Sequence, residues 1–186
     1  MIARLLETGA LAAPPPDPRV RAIPEWLDLA AAHDPRLAGE LWQVVDRFER
    51  EGMLHGTVEP DARQTLERLR AGGNRLAVLT NNSVGSAEAA LERFDLRLPL
   101  DLVLARERVP ALKPAGAGVA KAHADLGRGP TVVVGDSYID GLAAERAAVG
   151  ARFIAFRADP ADLATRGVQP WAVATTLGDV PALLGL

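Results

Sequence analysis

An open, parallel α/β sheet preceded by a short helical segment is the fold class that this sequence predicts, on three observations. Val132, Val133 and Val134 follow Thr131 as a wholly apolar, β-branched run, the pattern of a strand buried on both faces of a parallel sheet. Gly135 then lets the backbone turn sharply, and helical spacing resumes at Ile139, Leu142, Ala143 and Ala147. From residue 57 onward, strand-like runs alternate with helical ones, whereas residues 1–56 carry helical periodicity and no convincing strand.

The chain has 186 residues, enough for one substantial domain or a domain with a small accessory lobe. Hydrophobic residues make up 48% and charged residues 24%, an ordinary globular balance. A net charge of -3 without a basic stripe argues against nucleic acid as a partner. The absence of cysteine excludes disulfides and thiolate metal sites. No apolar run approaches the ~20 residues of a membrane span, and Pro14-Pro15-Pro16 interrupts the N-terminal apolar stretch too early for a signal peptide. The expectation is no membrane contact and a cytoplasmic location. Lysine occurs only at Lys113 and Lys121, against nineteen arginines, so each lysine is of interest.

Taken in order, Ile2, Leu5 and Leu6 predict a first helix, ended by Gly9 and the prolines of 14–18. Pro24 opens a second helix with Trp26, Leu27 and Leu29. Asp34-Pro35 has the form of an N-cap followed by proline at the first helical position. Leu37, Leu41, Val44, Val45 and Phe48 then recur at helical spacing up to Gly52. The segment 1–56 is thus expected to be a bundle of about three helices, and 57–186 the α/β part. There, Pro60 opens a helix carrying Leu66 and Leu69 that stops at Gly72-Gly73. A short strand at 76–79 ends in Thr80-Asn81-Asn82-Ser83, and Val84, Ala87, Leu91 and Phe94 form the next helix. A strand at 102–104 and a helix at 115–126 precede the valine strand. A strand at 153–156, a short helix near Asp162, a strand within 171–175 and a helix at 180–184 complete the chain.

Three polar groups follow apolar strands. Thr80 precedes backbone amides that lead into a helix N-terminus, a natural cradle for an anion with the hydroxyl as a further donor. The plainer reading makes Thr80, Asn82 or Ser83 a helix cap. Lys113, before Pro114, places a lone ammonium in a loop after a strand, where it could neutralise phosphate. Asp136 and Asp140 sit at a strand-to-helix crevice, where open α/β sheets bind ligands. Together they could hold Mg²⁺, which takes one or two carboxylates with water and phosphate oxygens; alternatively, Asp136 caps the helix and Asp140 complements its dipole. His33 and His123 read as surface residues of helices, while His55 lies at the join of the two segments, within reach of a substrate. Gly116 and Gly118 lack the third glycine of a dinucleotide fingerprint.

In Leu76–Asn82 (LAVLTNN), Leu112-Lys113-Pro114 and Val132–Asp140 (VVVGDSYID), in that order, the chain resembles the haloacid dehalogenase (HAD) superfamily over roughly residues 58–186. Ala115-Gly116 departs from the family's usual form after the lysine. The resemblance is strongest to phosphoglycolate-phosphatase-like members. It implies a three-layer, Rossmann-like sheet with residues 1–56 as a helical cap lobe, and Mg²⁺-dependent hydrolysis of a small phosphorylated metabolite. Thr80 and the Asn81 N–H would hold phosphoryl oxygens, Lys113 would stabilise charge in transfer, Asp140 would orient Lys113, and Asp136 would ligate Mg²⁺.

The same resemblance exposes a gap. Family chemistry begins at an Asp-x-Asp motif ending a first, central strand, and no Asp-x-Asp occurs anywhere in this sequence. Asp17, Asp28, Asp34 and Asp46 do not follow apolar strands, and the best strand-like candidate, 19–23, runs into Pro24-Glu25. Two expectations follow: a chain that starts within a longer protein and is inactive as it stands, or a short phosphate-binding or regulatory module completed by a partner strand. Both anticipate a missing central strand and an open edge beside the valine strand.

Overall fold

A computed structural model describes residues 1–17 and 21–186, apart from the Met53 side chain. The chain forms two compact units, residues 1–55 and residues 56–186. Of the candidate strand at 19–23, residues 19 and 20 lie outside the described residues, and Ile23 is helical.

The first unit holds three helices, α1 (Ile2–Glu7), α2 (Ile23–His33) and α3 (Pro35–His55). Pro24 lies in the first turn of α2, where its missing N–H costs nothing, and Glu25 returns its carboxylate to the Ala22 N–H at 2.7 Å. Asp34 accepts the Arg36 N–H at 2.9 Å at the start of α3. Leu5, Trp26, Leu27, Ala30, Leu37 and Leu41 form a core of this unit's own. The expected stop at Gly52 does not occur: α3 continues through it to His55, since one glycine costs a helix only about 1 kcal/mol.

The second unit alternates strands with helices: α4 (Ala62–Ala71), β1 (Ala77–Leu79), α5 (Val84–Arg93), β2 (Leu102–Leu104), α6 (Ala117–Asp125), β3 (Val132–Gly135), α7 (Tyr138–Arg146), β4 (Arg152–Phe156), α8 (Pro160–Thr165), β5 (Ala172–Ala174) and α9 (Asp179–Leu183). A 3₁₀ turn at Arg106–Arg108 follows β2. Asp61, not Pro60, stands at the N-cap of α4, and Gly72 ends that helix. All strand pairs are parallel, as α/β crossovers demand. Leu69, Ala87, Leu91, Val103, Ile154 and Val180 pack on one face of the strands. Val119, Ala143 and Ala147 pack with Leu79 and Val133 on the other, joined there by Phe153, Ala155 and Leu163. Helices on both faces of parallel strands make the three-layer, Rossmann-like arrangement.

The strands nevertheless form two hydrogen-bonded sets, β1–β2 and β3–β4–β5. Leu76 O accepts the Leu102 N–H, and Leu104 O accepts the Thr80 N–H. By the alternation of a parallel ladder, Ala77 and Leu79 turn their amides away from β2. Likewise Thr131 O accepts the Arg152 N–H, which leaves Val132 and Val134 directing theirs away from β4. Among the described residues no strand pairs with either edge. The two sets still share packing, because Val78 and Val132 flank one core and Leu79 and Val133 another. The uncovered edge corrects the expectation that the valine strand is buried on both faces: Val132 and Val133 are half-buried, and Val134 is 39% exposed. Among the described residues no helix is long and apolar enough to cross a membrane.

Candidate functional site

Lys113 is the hub of the polar residues that the sequence singles out. Its ammonium donates to Asp140 Oδ1 at 2.6 Å and to the main-chain oxygen of Leu79, the last residue of β1, at 3.1 Å. One side chain therefore ties the end of β1 to the start of α7, across the edges that no described strand joins. Both members of the ion pair are largely buried, with side-chain exposures of 14% and 9%. In such surroundings each charge depends on the other, and removing one partner costs roughly 3–5 kcal/mol.

Asp140 is fully occupied. Its second oxygen accepts the Ser137 N–H at 3.2 Å, closing a capping box in which Ser137, not Asp136, is the N-cap of α7. The carboxylate also lies against Gly135, where a Cβ has no room. A glycine at the end of β3 is thus required by close approach, and not by the sharp turn expected, since its φ lies outside the left-handed region. Asp140 holds Lys113 and the helix terminus; it has little left for a cation. Asp136 differs. It is exposed in the bend between β3 and α7, and its carboxylate has no hydrogen bond or ion pair among the described residues.

At the end of β1, Thr80 is half-buried and its Oγ1 accepts the Asn82 N–H at 3.1 Å. An acceptor lone pair is used there, while the hydroxyl proton remains available. The cap of α5 is Ser83, whose Oγ accepts the Ser86 N–H at 3.3 Å. The expected cradle is narrower than the sequence suggests, because the Val84 N–H is taken by Glu107 Oε2 at 2.8 Å. The Asn81 N–H stays without a partner among the described residues. Asn81 also brings a contact that sequence reasoning missed: its side chain accepts the Lys113 N–H and donates to the Lys113 O, both at 2.8 Å. A separation of 32 positions hides this pairing from any local pattern.

The remaining candidates fall elsewhere. His123 is half-buried and pairs Nδ1 with Thr131 Oγ1 at 2.8 Å, so it is a fixed contact at the base of β3 and not the free surface residue expected. His33 meets the Thr8 O at 3.0 Å, and His55 is exposed in the last turn of α3. Lys121 pairs with Asp125 on the surface. Gly116 serves packing: its Cβ position is filled by the backbone of Arg146 and Ala147. An open groove of about 450 Å³ runs along β2, with Arg97, Arg108 and Lys121 at its rim. Its cations are already matched, the two arginines to Glu88 and the lysine to Asp125. The carboxyls with displaced pKa values also lie away from Lys113. Arg70 and the Leu76 N–H hold Asp101 below its ordinary value at the opposite end of the strands. The Thr176 and Thr175 donors pull Asp179 down to about 2 beyond β5.

Residues 19–148 match the haloacid dehalogenase-like hydrolase family. The chain belongs to that family. Among curated proteins it is 35% identical over 109 residues to a phosphoglycolate phosphatase of Cereibacter sphaeroides, an alignment covering 59% of this chain and 49% of that one. A phosphoglycolate phosphatase of Caulobacter vibrioides is 32% identical over 99 residues, covering 52% and 42%. The chain spans about half the length of the curated relatives it matches. Among solved structures, a HAD-superfamily hydrolase of subfamily IA from Geobacter sulfurreducens superposes with a TM-score of 0.63 at 24% identity, over 98% of this chain and 87% of that one. A HAD family hydrolase from Deinococcus radiodurans with bound phosphate and sodium gives 0.65 at 22%, over 99% and 73%. These likenesses establish the fold, and the matched family is one of haloacid dehalogenase-like hydrolases.

Proposed function

We propose that the end of β1, the Lys113 loop and the start of α7 form a binding site for the phosphoryl group of a small phosphorylated metabolite, in a Mg²⁺-dependent phosphomonoester hydrolase. The observation that carries this reading is the Lys113 ammonium. Two of its three protons are fixed by Leu79 O and Asp140, and the third is free to meet an anion. The Thr80 hydroxyl and the Asn81 N–H, each with a donor to spare, supply neutral hydrogen bonds beside it. Asp140 keeps the ammonium in place and offsets its burial.

Asp136 fits Mg²⁺ by the chemistry of its donor: one exposed, unpartnered carboxylate suits a cation that keeps most of its waters and shares phosphate oxygens. When bound, the ion would neutralise charge on the phosphoryl oxygens and template the reactants. Residues 1–55 would serve as the cap lobe. The names of the curated relatives make 2-phosphoglycolate the first substrate to try.

Turnover by this chain alone should be slow. The sequence contains no Asp-x-Asp, and no described strand ends in an aspartate other than Asp136. Without a positioned nucleophile or base, water must attack a phosphate that is bound but not activated. The open edges of β1 and β3 favour a second reading, a phosphate-binding module completed by a strand from a partner. Titration with inorganic phosphate in Mg²⁺, together with phosphate release from 2-phosphoglycolate, tests both. Saturable binding weakened at least about tenfold by Lys113→Ala, with little release, is expected. Binding that ignores Lys113→Ala would remove the site, and release at an ordinary enzymatic rate would remove the claim of slow turnover.

A further inference from the structure

Asn81 does more than the sequence assigns to it. We infer that its side-chain amide is a positioning residue for Lys113, holding the lysine's main chain so that the ammonium can reach Leu79 O and Asp140; this rests on the phosphoryl-binding reading of that ammonium.

The geometry is reciprocal. Asn81 Oδ1 accepts the Lys113 N–H and Asn81 Nδ2 donates to the Lys113 O, each at 2.8 Å. A primary amide presents a donor and an acceptor side by side, as a peptide group does, so it can satisfy both backbone groups of one residue. Pairing the two leaves neither of Lys113's main-chain groups unsatisfied in a half-buried loop. It also fixes the base of a long side chain that otherwise loses substantial rotamer freedom when its tip is held.

The rest of the loop is held from another side. Arg146 of α7 donates to the Pro114 O at 3.3 Å, and the Ala115 N–H closes a turn onto the Leu112 O at 2.9 Å. Neither contact reaches Lys113 itself. Asn81 is the link between the lysine's main chain and the end of β1, two residues from the carbonyl that its ammonium meets. Thr80 lies between these two contacts. The amide thus sets the separation between the Thr80 hydroxyl and the ammonium, the two groups that would share one anion.

The scarcity of lysine provides a direct readout. Only Lys113 and Lys121 occur in the chain, so ¹³C- or ¹⁵N-labelled lysine gives two side-chain NMR signals, with exposed Lys121 as internal reference. In the unaltered chain the Lys113 signal should stand apart from that of Lys121. Asn81→Ala should move it toward the Lys121 position and weaken inorganic phosphate binding about tenfold, with circular dichroism unchanged. Asn81→Asp keeps the acceptor for the Lys113 N–H and loses the donor; its Lys113 signal should fall between the two, and it serves if the alanine variant does not fold. A Lys113 signal that stays put in both variants overturns the inference, whatever happens to phosphate affinity. If the unaltered chain binds no phosphate yet the signal moves, Asn81 still positions Lys113, and it is the phosphoryl-binding reading that fails.

Discussion

β3 and β4 are neighbours with similar composition and different fates. Val132–Val134 and Phe153–Phe156 are both apolar runs read as strands, and they pair in register. In β4, Phe153, Ile154 and Ala155 are buried, Ile154 and Ala155 completely. In β3 no residue is buried, and Val134 is 39% exposed. The difference lies in the neighbours. β4 is bonded on both sides, to β3 and β5, while β3 is bonded on one. An apolar sequence states what a strand tolerates; its actual burial is set by what lies alongside.

Ile154→Ala should break the comparison most severely. It opens a cavity where two parallel pairs and one helical layer meet, at a cost of roughly 2–5 kcal/mol, measurable by denaturant unfolding. Gly135→Ala should be intermediate, about 1–3 kcal/mol, because the new methyl meets the Asp140 carboxylate. It should also weaken phosphate binding, since the displaced carboxylate is the one that holds Lys113. Val134→Thr should change stability by no more than about 0.5 kcal/mol. A large loss at Val134 would show that its edge is covered in solution.

A milder contrast sets the carboxylates beyond β3 and β5 side by side. Asp179 accepts the Thr175 N–H, the Thr176 N–H and the Thr175 hydroxyl, at 2.8, 2.8 and 2.9 Å. These donors favour its ionised form and lower its pKa to about 2. A group whose folded pKa is depressed stabilises the fold above its unfolded value near 3.9, and that contribution is lost as pH falls through the folded one. Asp179→Asn should therefore lower stability at neutral pH, with the difference from the unaltered chain shrinking between about pH 4 and pH 2. Acid titration of unfolding midpoints checks the sign.

Local pattern made much of this legible. Apolar runs and their spacing placed every strand of the second unit within a residue or two, and Asp34-Pro35 and Gly72 marked helix ends. The residues of the proposed site stand out in the sequence as polar types after strands, since Thr80, Lys113 and Asp136 each follow an apolar run. What escaped was non-local. The Asn81 clamp spans 32 residues, the Glu107 carboxylate reaches the Val84 N–H across 23, and Gly116 is needed by a helix that comes later. A glycine selected by another helix's backbone carries no mark of it in its own neighbourhood.

The crossing at Gly116 has a mechanical consequence. Lys113 lies three residues before that glycine, and Asp140 lies within the helix whose last turn presses on it. Because backbone meets backbone with no side chain between, α6 and α7 have no cushion along which to slide. The ammonium and its carboxylate are thus mounted on one stiff block, with Arg146 pinning the loop to the same helix. Gly116→Ala would act as a wedge driven into the mount, loosening an ion pair it never touches.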